Sequence, residues 1–196
     1  MLEQPLPRRR FLKLFATTSA YAVSSGIALQ LSGCDTHTPL LEKTITEQFG
    51  PLMVFDEPQA NILYALSEAY ISNAKNTQQL TGVIQRLDEE LYFVSDSIRE
   101  DFKLALDVME HLPLAYGKFS RLSRLTIDQR RLFLVAIQGS GIQTIRAVAN
   151  ACRMAVFMTY YNQESTWSTI GYGGTFSQLP EKLSPQRQHY AKEISS

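Results

Sequence analysis

The sequence predicts an all-α protein: a small bundle of about five or six helices preceded by a signal segment. Three observations carry this. Apolar residues recur at steps of three and four through much of the chain after residue 56. Helix start signals and glycine or proline breaks separate those runs. No stretch beyond residue 34 alternates with period two for long enough to make a strand.

The elements follow in order. Asp56, then Glu57-Pro58, is a helix opening, with a capping oxygen and a proline whose missing N–H is harmless in the first turn. Ile62, Leu63, Leu66 and Tyr70 then share a face. Leu80, Ile84, Leu87, Leu91 and Val94 form a second apolar stripe, with Gln85, Arg86, Asp88 and Glu89 expected on the solvated side. Ser97 is the expected cap of a third helix whose Ile98, Phe102, Leu106 and Met109 face inward and which Pro113 closes. Thr126 with Gln129 has capping-box spacing and opens a helix through Leu132, Val135 and Ala136. Gly139-Ser140-Gly141 breaks it. A longer helix then runs through Ile145, Val148, Cys152 and Val156 to about Tyr160.

The 196 residues carry 19 Lys+Arg against 19 Asp+Glu and two cysteines. That excludes a disulfide scaffold and argues against nucleic acid as the main partner. The balance is uneven along the chain. Arg8, Arg9, Arg10 and Lys13 precede an uncharged run from Leu14 to Leu31, the order of a bacterial export signal. Arg8-Arg9-Arg10-Phe11-Leu12-Lys13 resembles a twin-arginine signal, its matching positions being Arg8, Arg9, Phe11, Leu12 and Lys13. Leu31-Ser32-Gly33-Cys34 resembles a lipobox, with Cys34 as the lipidated residue, and Asp35 resembles an inner-membrane retention signal. The expected organisation is a signal peptide over 1–33, a lipidated tether over 34–55 and a helical domain over 56–196. Cleavage before Cys34 leaves 15 basic and 18 acidic residues. The expected location is the periplasm, on a lipid anchor at the inner membrane. The twin-arginine route carries folded cargo, so the translocase itself is an expected partner.

Residues suited to catalysis are sparse. His37, His111 and His189 form no ligand pair at helical spacing. Haem and iron–sulfur motifs are missing, so the chain is expected to hold no cofactor or metal and no catalytic residue of its own. Cys152 falls on an apolar helix face, as a core residue. Asp88-Glu89-Glu90 is read as a solvated face. Arg121, Arg124, Arg130 and Arg131 form a basic cluster, either helix surface, partner contact or anion site; with Glu110 it would be the place for an unrecognised active site. Gly171-Tyr172-Gly173-Gly174 lacks the strand and helix of a phosphate loop.

The most distinctive stretch runs from Tyr160 to Gly174, where the only tryptophan, Trp167, follows Tyr160-Tyr161 and precedes Gly171-Tyr172-Gly173. With the signal and the helical layout, it resembles the gluconate 2-dehydrogenase subunit 3 family. These are small subunits of membrane-bound flavin dehydrogenases of the glucose–methanol–choline type. The chain departs from that family's Gly-Tyr-x-Gly-Pro at Thr175. The resemblance implies a non-catalytic accessory subunit that escorts a FAD-containing large subunit oxidising a sugar or alcohol, with a cytochrome c subunit as a further partner. Tyr160, Tyr161, Trp167, Gly171, Tyr172 and Gly173 become the candidate partner contact, Trp and Tyr being favoured at interface hot spots. The alternative is a free-standing envelope lipoprotein that binds a ligand or a protein.

Overall fold

Asp56 starts the first helix. Its carboxylate accepts the N–H of Gln59, and the Gln59 side chain accepts the N–H of Asp56 in return. Helix α1 (Glu57–Tyr70) follows. The computed structural model describes residues 51–72, 77–174 and 183–195; the twin-arginine positions Arg8 to Lys13 and Cys34 lie outside them. Among the described residues there are seven helices and no strand, an all-α fold as expected. After α1 come α2 (Thr77–Tyr92), α3 (Asp96–Ala115), a 3-10 turn (Leu122–Arg124), α4 (Ile127–Gln138) and α5 (Gln143–Tyr161). A single-turn helix, α6 (Glu164–Trp167), runs into a 3-10 turn (Ser168–Ile170), and α7 (Pro185–Ser195) ends the order.

Helix α1 is the hub, packing on α2, α3, α4, α5 and the Leu122–Arg124 turn. Its sequence suits that place. Leu63 and Leu66 are fully buried, and Ala60, Ala65 and Ala69 keep the remaining faces thin enough for close approach. Ile84, Leu106, Met109, Phe133, Ile137 and Val156 converge on it in one apolar core.

Two expectations about faces change. On α4, Leu132 and Val135 point to solvent, at 72% and 69% exposure, while Phe133, Leu134 and Ile137 are buried. The reason is Arg130, which occupies the inward stripe at 130, 133, 134 and 137. Its Nε donates to the Leu125 carbonyl and its Nη1 to the Ala65 carbonyl, with Glu68 paired at 2.8 Å. A polar residue on the apolar face shifts the phase that hydropathy alone suggests. On α3, the helix begins after Ser95 rather than at Ser97, Ile98 is exposed, and burial starts at Leu106. Pro113 sits in its last turn, and the helix ends two residues later.

The larger correction concerns α2. Asp88 and Glu89 are buried, Asp88 completely. The Asp88 carboxylate accepts the backbone N–H groups of Met53, Val54 and Phe55 at 2.8–2.9 Å and the Tyr190 hydroxyl at 2.7 Å. Glu89 accepts from Arg86 at 3.0 Å and from Arg187 at 2.7 Å. Both partner segments, 53–55 and α7, cover the side of α2 that would otherwise be wet. Burial and the Asp88 carboxylate together hold the Tyr190 phenol well above its usual range, so it stays a donor. Asp88 also has a helical phase that fits: Ile84, Leu87, Asp88 and Leu91 are one stripe.

Asp88→Ala should destabilise the fold by about 3–5 kcal/mol, since it leaves buried amides unpaired. Tyr190→Phe, which removes one donor, should cost about 1–2 kcal/mol. Denaturant titration checks both; equal losses would mean that the amide contacts contribute little.

Candidate functional site

The aromatic tail is built on the end of α5. Tyr160 is core: it is buried, and its hydroxyl lies 3.4 Å from Gln79 Oε1. Tyr160 therefore supports the tail from inside and offers no outer face. Asn162 ends the helix, and the chain folds back at once. The Thr166 hydroxyl, fully buried, lies within hydrogen-bond distance of the carbonyls of Tyr160 and Gln163. The Gln163 amide donates to the Gln79 carbonyl. Opposite it stands Gly82, where an added Cβ would come within 2.7 Å of Gln163 Oε1. A glycine inside α2 weakens that helix by about 0.5–1 kcal/mol. Here it makes room for the returning tail.

The outer part of the tail is an edge-on aromatic pair. The Trp167 and Tyr172 rings are 5.1 Å apart at 80°. The Trp167 indole N–H donates to the Tyr161 carbonyl at 3.2 Å, and the Tyr172 N–H donates to the Trp167 carbonyl at 3.0 Å. Gly171, with φ +70°, makes the left-handed turn that brings Tyr172 back over Trp167. Gly173 is exposed, with open space where a Cβ would stand. Tyr161 and Tyr172 are 41% and 42% exposed, and Trp167 is half-buried. Five of the six candidate residues thus share one surface. Next to it, a groove of about 660 Å3 runs between α2 and α5, lined by Arg86, Glu90, Met158, Tyr161 and Asn162. Met154 and Met158 stand exposed along the same helix.

The arginine cluster divides. Arg131 donates to the Ala69 carbonyl at the end of α1. Arg121, Arg124 and Arg130 line a second cleft, of about 570 Å3, between α1, α3 and the turn after it. Glu57, Tyr64, Glu68, Asp107, Glu110, His111 and Ser123 complete its charged and hydroxyl lining. Much of this charge is already engaged. Glu110 accepts the N–H and the hydroxyl of Ser123 at 2.9 and 2.7 Å, and Arg130 is held by α1 and Glu68. Burial raises the Asp107 carboxyl above its ordinary value, against a smaller opposing effect of His111. Burial, and then Glu68, raise the Tyr64 phenol. His111 Nδ1 lies 2.8 Å from the Asp107 carbonyl, the geometry of a ring N–H donor along the helix. Arg130 and Asp88 have interior roles that hydropathy does not show. Their phase on the apolar stripes was the available signal.

Among the described residues, no group of three or more His, Cys, Asp or Glu is placed to hold a metal ion. No helix there is long and apolar enough to cross a membrane. No family model, curated protein or solved structure matches this chain.

Cys152 is fully buried on α5, and burial pushes its thiol up to about 12. In a Cys34→Ser chain, Cys152 should react with a small thiol reagent at least about 100-fold more slowly when folded than in denaturant. Stopped-flow labelling at mildly alkaline pH checks this. Comparable rates would mean that the thiol is accessible.

Proposed function

We propose that this chain is a non-catalytic accessory subunit. It escorts a FAD-dependent sugar or alcohol dehydrogenase through twin-arginine export and holds it at the membrane through a lipid on Cys34. The flavin belongs to the large subunit, and a cytochrome c subunit takes the electrons. The observation that carries this reading is the Trp167–Tyr172 pair. It is a fixed aromatic turn, exposed together with Tyr161 beside a methionine-edged groove. Rigid Trp and Tyr side chains lose little rotamer freedom on binding and bury large area, which makes them anchors. The Arg-Arg-x-Phe-Leu-Lys signal and the tail's likeness to the subunit 3 family point the same way. The cleft at Arg121 and Arg124 favours a second reading, a free-standing envelope lipoprotein that binds a small ligand.

Co-purification tests the first reading. Tagged protein from native membranes should bring down a flavoprotein, read as flavin absorbance. Tyr172→Ala and Trp167→Ala should each lower the recovered flavin at least about tenfold, the effect of losing a hot-spot residue. Tyr172→Ala, at an exposed position, should leave the thermal midpoint nearly unchanged. Replacing Arg8 and Arg9 by Lys should leave the dehydrogenase in the cytoplasm. Dehydrogenase export that survives deletion of this chain would sink the proposal.

A further inference from the structure

Phe119 is 93% exposed, more than any other large apolar side chain among the described residues. It stands on the segment that leaves α3. Gly117, with φ +75°, turns the chain out of the helix, and Leu114 and Tyr116 just before it are also exposed. Along the chain, the charge next to Phe119 is of one sign. From Leu112 to Ile127 the sequence holds Lys118, Arg121 and Arg124 and no Asp or Glu, although residues 56–196 together hold 14 basic and 15 acidic residues. Arg121 and Arg124 are exposed. The carboxylates that line the cleft with them are Glu57 and Glu68 from α1 and Asp107 and Glu110 from α3. Of these, Glu68 is paired with Arg130 and Glu110 is bound to Ser123. No described residue makes a side-chain hydrogen bond or ion pair with either arginine.

We propose that the segment from Leu114 to Arg124 docks on an anionic membrane surface. Phe119 inserts at the headgroup–acyl boundary, and Lys118, Arg121 and Arg124 meet lipid phosphates. A projecting ring flanked by cations matches the layering of a bilayer, where apolar depth begins just beneath a sheet of negative charge. An acidic protein face would satisfy the cations but gives a ring that projects this far no apolar layer to enter. Phe119 has Lys118 and Ser120 on either side, with Arg121 next. The proposal needs neither the dehydrogenase nor the lipid on Cys34. Flavoprotein co-purification and vesicle binding therefore fail independently.

The test uses the full chain with Cys34→Ser, so that no acyl chain contributes. Phe119→Trp in a Trp167→Phe background places a single indole at position 119. With vesicles of phosphatidylcholine containing phosphatidylglycerol at about one third, its emission should shift to the blue and be quenched by brominated acyl chains. Pure phosphatidylcholine should give neither effect. Adding Arg121→Gln and Arg124→Gln should weaken partitioning about 25-fold, roughly fivefold per cation. If the chain binds vesicles while position 119 stays unquenched, the contact belongs to the signal segment and the proposal is wrong. An emission shift with polyglutamate but not with vesicles would assign the loop to an acidic protein and overturn it equally. So would a chain that binds no anionic vesicle at all.

Discussion

One buried carboxylate joins the two ends of the described domain. Asp88 accepts three consecutive amides from residues 53–55 and the hydroxyl of Tyr190, 102 positions along the chain from it. An ionised group taken out of water is costly unless its lone pairs are filled, and four donors fill them. All four donors are neutral groups. What matters is convergence: the donors come from two distant segments, one also held by Val54 and Phe55 in the core and the other with Tyr190 as its single buried side chain. In α7 the only buried side chain is Tyr190, and its first turn is held by Arg187 on Glu89. Residues 51–55 form no regular element, so their orphan amides need an acceptor. Asp88 satisfies both needs and so fixes how the chain runs into α1 and where its last helix lies.

Arg130 performs the comparable task on the other side of the hub. Its guanidinium reaches the Ala65 carbonyl in the middle of α1 and the Leu125 carbonyl just before α4. That links α1 to the start of α4 and settles the rotation of α4 about its axis. Leu132 and Val135 are then turned outward, although both are apolar. The inward stripe buries Phe133, Leu134 and Ile137 together with Arg130, and the guanidinium bonds offset the cost of taking that charge out of water.

The fold class was legible because most of the core obeys helical spacing: Leu80, Ile84, Leu87 and Leu91 on α2, and Ile145, Cys152, Val156 and Tyr160 on α5, are all buried. Start signals were legible where the cap is reciprocal, at Asp56–Gln59 and Thr126–Gln129. Ser95 caps without a side-chain bond, so nothing reciprocal in the sequence marks it over Ser97. Buried charges were illegible for a different reason. Hydropathy assigns Asp88, Glu89 and Arg130 to water, and only the position of distant segments reverses that. The aromatic turn was legible as composition, through Trp167 and Tyr172. Its division into a buried support, Tyr160, and an outer pair was not, because Tyr160 and Tyr161 differ only by one step of helical rotation.

The two exposed features share a construction that bears on how they work. Phe119 stands out from a segment pinned close behind it: Leu122 is fully buried and Ser123 is bound twice by Glu110. Trp167 and Tyr172 follow Thr166, which is buried and bonded to the end of α5. Exposure here is therefore not the looseness of a chain that found no place to pack. A free loop could hide an aromatic ring against the bundle at little cost, and the hydrophobic effect would favour that. These rings are held outward by buried contacts one to six residues away. Such mounting lowers the ordering entropy that binding must overcome, so a modest contact area suffices for a useful affinity. The same anchors make the surfaces depend on the core, since any shift of Glu110 or Thr166 moves the ring it supports.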